Sequence, residues 1–201
     1  MLAVAAFVPI PPLLVPAIAG GSAPADEPLR EACREAVRRL CAMTLDEIVV
    51  VGPGEDTGPV EGSWDWHGFG VPLPEPAPRR RLPHGVAIGS WLLETYADSN
   101  VAPRFQTVAT TLSAEKCAAL GRGLVTGDRR IGLLVCGDGS ACRTEKAPGA
   151  FDPDAEAWDD DALAALGGSD AAGLLNLDRA MGARLLAAGR APWQVLAGAA
   201  A

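Results

Sequence analysis

The chain has 201 residues, 49% of them hydrophobic and 21% charged, with a formal net charge of -8 at pH 7. That balance suits one ordinary globular domain with enough apolar material for a substantial core, while the negative mean field works against phosphate backbones and anionic membranes. No apolar run approaches the ~20 residues needed to span a bilayer, so neither nucleic acid nor membrane is expected as a partner.

Leu2 to Val8 predicts a first, central strand ended by Pro9. This apolar start is not read as a signal peptide, because no Lys or Arg precedes Arg30 and four prolines (Pro9, Pro11, Pro12, Pro16) interrupt it. From Glu27 to Met43 the apolar Leu29, Cys33, Ala36, Val37 and Leu40 recur at helical spacing, with Arg30, Glu31 and Arg34 among the residues elsewhere on the cylinder. Glu47 to Val51 is β-branched and closed by Gly52-Pro53-Gly54, which predicts a strand beside the first, joined to it as a βαβ unit.

Next comes the aromatic segment Ser63 to Gly70, then a proline- and arginine-rich loop over 72–83 in which Arg79-Arg80-Arg81 reads as solvated. Gly85 to Tyr96 predicts a helix and Phe105 to Leu112 a strand, with Ser113 capping a helix that runs through Leu120. Ile131 to Cys136 is a buried strand, and the remainder is helical: Asp161 to Leu166, Ala171 to Ala188 with a break around Leu177-Asp178, and Pro192 to Ala199. Gly189 reads as a helix stop. The acids Asp152, Asp154, Glu156, Asp159, Asp160 and Asp161 lack the spacing of an EF-hand loop and read as a structural run before a helix. The pattern predicts a single α/β domain over 1–201, with a central, mainly parallel or mixed sheet flanked by helices. Five cysteines (Cys33, Cys41, Cys117, Cys136, Cys142) without CxxC spacing predict reduced thiols in a cytoplasmic protein.

The strand at Ile131 runs into the turn Gly137-Asp138-Gly139-Ser140-Ala141-Cys142-Arg143, where open α/β sheets place ligand sites. Asp138 is a candidate catalytic carboxylate, with a turn role bonding nearby backbone N–H groups as the alternative. Ser140 and Cys142 are nucleophile types without a histidine placed to activate them, and Arg143 suits a substrate carboxylate, Asp138 or Glu145. His67, among Trp64, Trp66 and Phe69, is the second catalytic candidate, for a pocket that stacks on a small aromatic ligand; a solvent-side or core position is the alternative. His84, beside a predicted helix start, reads as a cap or as exposed.

The same turn, continued through Ala147-Pro148-Gly149 to Asp152-Pro153, resembles the GDLSHR-x-x-x-x-AP-x-G-x-DP signature of the LigB-type class III extradiol dioxygenases and the Memo-like proteins. Val8 to Pro16 is similar to the family's strand-end HPPLL element, Val49 to Gly54 to its VVVSPH element, and Pro192 to Ala199 to its closing helix. The resemblance implies a LigB-like fold in which the first two elements would supply histidines to Fe(II), a later Glu would complete the ligand set, and the turn would supply a histidine acid/base. Two imidazoles and a carboxylate leave open positions on Fe(II) for a catecholate and dioxygen. The matching positions here are Ile10, Gly54 and Ala141, and the chain has only two histidines, so no metal or other cofactor is expected. The reading is a LigB-like protein without the iron site that is non-catalytic or binds a small ligand. Its alternative is a divergent enzyme using the same strand-end cleft for different chemistry on a small substrate, with aromatics among the candidates. Pocket candidates are Ile10, Pro12, Gly54, Trp66, Ser140, Cys142 and Arg143, and the resemblance implies a homodimer.

Overall fold

Apolar runs without a polar break belong where both faces of a sheet are covered, and the structure puts two of them side by side. In this computed structural model, which describes residues 1–20, 27–72 and 79–201, strand β5 (Ile131–Cys136) is buried at every position and strand β2 (Glu47–Gly54) is buried from Glu47 to Gly52. With β1 (Leu2–Val8), β4 (Pro103–Ala109) and β3 (Gly58–Val60) they form a five-stranded sheet in the order β1-β5-β2-β4-β3. All pairings are parallel except β3 with β4. The molecule is thus a single α/β domain with a mixed, mostly parallel sheet.

Alternating side chains along β2 and β5 feed the two cores. Ile48, Val50, Leu134 and Cys136 face α2 (Glu27–Cys41) and α3 (His84–Tyr96), while Val49, Val51, Leu133 and Val135 face the opposite core. That second core is covered by α4 (Ala114–Leu124), α5 (Ala155–Gly167), α6 (Ala171–Asn176) and α8 (Arg190–Ala200). A short α1 (Pro16–Ala19) follows β1, and α7 (Arg179–Arg184) lies between α6 and α8. The break expected around Leu177-Asp178 is present, with Asp178 capping α7 through the Met181 N–H at 2.6 Å. Among the described residues no helix is long and apolar enough to cross a membrane.

Several expectations need correction. β1 is an edge strand, not a central one, and β2 is not beside it: β5 lies between them, hydrogen-bonded to both. Adjacency of this kind is set by a late strand inserting between two early ones, which no local pattern announces. On α2, Leu29 is exposed and Arg30 is buried, because the Arg30 guanidinium donates to the Leu14 carbonyl at 2.8 Å and pairs with Glu27. The β3 edge strand, with Pro59 tolerated at the edge, was not expected. Helix α5 begins six residues before Asp161, since Ala155, Trp158, Ala162 and Ala165 recur at helical spacing and are buried; Glu156 and Asp159 to Asp161 therefore sit within the helix. Gly189 precedes α8 as its N-cap residue and ends no helix. Ser113 does cap α4, accepting the Lys116 N–H at 3.5 Å. In the 72–83 loop, the extended reading of 73–78 lies outside the described residues, but Arg81 is anchored, its guanidinium 2.7 Å from the buried Asp65 carboxylate.

Candidate functional site at the strand ends

The chain leaves β1 and β2 toward the face of α2 and α3, but leaves β5 toward α5 on the other face. Neighbouring strands that exit to opposite faces open a crevice at their C-terminal ends. Asp138 stands in it, two residues past β5.

On its inner side Asp138 is tied to β1. Its Oδ1 accepts the Ile10 N–H at 2.8 Å; β1 and β5 end level, with Val8 opposite Cys136, so this bond spans 128 residues of sequence. The bonding to nearby backbone expected of a turn aspartate is therefore replaced by a bond across strands. The Ile10 carbonyl in turn lies 2.8 Å from Nε2 of His84, the first residue of α3. A carbonyl only accepts, so Nε2 carries the hydrogen; the buried Nδ1 has no partner among the described residues. Phe69 covers the imidazole, the ring centroids 5.6 Å apart. One residue's two peptide groups thus separate a carboxylate from an imidazole.

On its outer side Asp138 borders a pocket of about 270 Å³ with mainly apolar walls, including Phe7 of β1, Leu163 and Leu166 of α5 and Trp193 of α8. A second carboxylate, Asp159 of α5, shares that wall. Its Oδ1 accepts the Ser140 N–H at 2.7 Å, and Oδ2 stands 3.7 Å from Arg143 Nη1. Gly139 makes this approach feasible, since a Cβ there would fall 2.5 Å from Asp159 Oδ1. Burial raises the Asp138 carboxyl above its ordinary range, opposed by the Ile10 N–H and His84. Asp159 is likewise raised by burial, against the Ser140 N–H and Arg143. Neither acid is among the causes of the other's shift, so each responds to its own surroundings.

The other candidates lie elsewhere or act through the backbone. The Ile10 side chain is buried in the α2–α3 core, and Pro12 opens a 3-10 turn, Pro12–Leu14. Trp66 is a core residue stacked on Trp64 at 5.4 Å. His67 is exposed on the 3-10 turn His67–Phe69, its N–H donated to Asp65 Oδ1 at 3.0 Å. The Ser140 hydroxyl donates to the Leu185 carbonyl at 3.2 Å and accepts the Cys142 N–H at 2.9 Å, which makes it a turn brace. Cys142 is buried in the α5–α8 core. Arg143 pairs with Glu156 and Asp159, not with Asp138 or Glu145. Sequence reasoning missed Asp159, absorbed into the acidic run, and underrated His84, whose place at the first turn of a helix following a strand end was the available signal.

The donor set does not fit Fe(II). Ile10 offers only hydrocarbon, Ala141 only a methyl group, and a Cβ at Gly54 would lie 2.7 Å from Thr107 Cβ, so even a longer side chain there is opposed. Among the described residues no group of at least three His, Cys, Asp or Glu is placed to hold a metal.

The fold and this site define an α/β domain with an acidic, apolar-walled pocket at its strand ends. Compared with protein-family models and with curated proteins, the sequence matches none.

Proposed function

We propose that this chain is a LigB-like protein that lacks the iron site and binds a small ligand, without turning it over, in the pocket beside Asp138. The observation that carries this reading is the pairing of two backbone-anchored carboxylates, Asp138 and Asp159, with an otherwise apolar wall. Binding sites are typically concave and apolar with a few fixed polar groups. Five thiols without a disulfide agree with a cytoplasmic setting, and the net charge of -8 disfavours nucleic acid. The resemblance adds self-association as a homodimer, which light scattering on the purified chain tests.

A second reading, a divergent enzyme acting on a small aromatic substrate, is favoured by His84. Its buried Nδ1 has no partner among the described residues, and its Nε2 is linked to Asp138 through the two peptide groups of Ile10. Ligand screening by thermal shift, followed by mass spectrometry of each stabilising compound, separates the readings. Binding proteins return the compound unchanged; conversion that is lost in His84→Ala would establish the enzyme. Metal analysis and oxygen uptake with Fe(II) and a catechol panel test the loss of the iron chemistry, and stoichiometric iron with turnover would sink the proposal.

A further inference from the structure

The pocket beside Asp138 has a charge character that narrows its ligand. We propose that it takes a small organic cation: a ring-sized apolar body against Phe7, Leu163 and Trp193, with a protonated amine against Asp138 and Asp159. This rests on the small-ligand reading above and deepens it.

An anion would meet two carboxylates in a chain of net charge -8. A neutral hydrocarbon would strip water from Asp138, whose second oxygen has no partner among the described residues, and give nothing in return. A metal ion lacks a set of at least three donors among the described residues. An ammonium donates up to three hydrogens, enough to place one on an oxygen of each acid. Asp159 is already partly offset by Arg143 at 3.7 Å, beyond hydrogen-bond distance, so Asp138 is the principal anchor. The apolar body is called for by the rim: Phe7 is 44% and Leu163 59% exposed, large side chains left in water on the same pocket wall as the carboxylates. A volume of about 270 Å³ lies just under the range usual for drug-sized ligands, which suits a single ring with a short chain.

The proposal has a pH signature. The groups facing Asp138 are His84 across Ile10, Cys136 before it and Asp159 on the shared wall, with Arg143 behind Asp159. The amine pairs with the ionised carboxylate, so it must displace a proton once the pH falls into the raised range of Asp138, and its affinity weakens there.

The test uses the full chain and three probes of one shape: 2-phenylethylamine, 2-phenylethanol and 3-phenylpropanoate, followed by calorimetry and by NMR of the labelled protein. The amine is expected to bind about tenfold or more tightly than the alcohol, with the propanoate weakest. Its amide perturbations should centre on Phe7, Gly137 to Gly139 and Leu163. Asp138→Asn, which keeps an oxygen for the Ile10 N–H, should lower amine affinity about tenfold and alcohol affinity much less; Asp159→Asn should lower amine affinity less than Asp138→Asn does. Cooperative melting at a temperature no lower than the parent's excludes misfolding of either variant. If alcohol and amine bind equally at the same residues, the cation claim falls and the pocket reading stands. If no probe perturbs those residues, or the amine scatters over Asp160 and Asp161 instead, both fall.

Discussion

Two buried polar clusters in this molecule have opposite characters. Arg190 and Gln194 of α8 are 2% and 0% exposed, yet both guanidinium Nη atoms and both ends of the amide are bonded: Arg190 donates to Gln194 Oε1 at 2.6 Å and to the Thr110 and Leu112 carbonyls, the latter at 2.9 Å. Gln194 Nε2 reaches the carbonyls of Leu174, Leu175 and Leu177 at 3.0 to 3.2 Å. This cluster ties the loop after β4 and the α6–α7 break to one helix, and every bond it makes is to the protein itself. Asp138 and Asp159 are different. Each gives one oxygen to a backbone N–H and keeps the other short of a protein hydrogen bond. A polar cluster that bridges three chain segments reads as scaffold, and a pair of carboxylates each with one oxygen free of protein hydrogen bonds on an apolar pocket wall reads as a site awaiting a donor.

That contrast can be broken by substitution. Arg190→Ala should give the largest effect, a destabilisation of about 3–5 kcal/mol in urea unfolding, because it orphans buried carbonyls and the Gln194 oxygen together. Gln194→Leu follows at about 1–3 kcal/mol, from the carbonyls it leaves without a donor. His84→Ala should cost about 1 kcal/mol, losing a single bond to the Ile10 carbonyl. Asp138→Asn should be the mildest and of opposite sign. Burial raises the Asp138 carboxyl in the folded chain, so ionisation works against folding as pH rises from 3.8 through the raised value. The Asn variant escapes that penalty: at pH 7 it should melt at or about 1–3 °C above the parent, and the gap should close as the pH falls toward 3.8. A large loss of stability in Asp138→Asn would put it with Arg190 as scaffold.

Much of the fold was legible because periodicity is local. The run Ile131–Cys136 declared a buried strand, and the spacing of Cys33, Val37 and Leu40 declared α2. What stayed hidden was non-local: that β5 enters between β1 and β2, and that Arg30 is drawn inside by the Leu14 carbonyl. The site divides the same way. Asp138 announced itself between glycines after a strand, whereas Asp159 looked like one more acid in a run until helix α5 turned it toward Ser140. The His67 segment drew attention through its aromatics, but Trp64 and Trp66 stack on each other and pack on the α3-side core, and Phe69 lies over His84, leaving the His67 side chain outside.

The most direct measurement is an NMR titration of the carboxyl carbons of Asp138 and Asp159, without and with 2-phenylethylamine. The expected result is that both acids titrate above 3.8 in the free protein and that the amine lowers Asp138 more than Asp159. Ordinary titration of both in the free chain, with no movement on adding amine, would contradict the account.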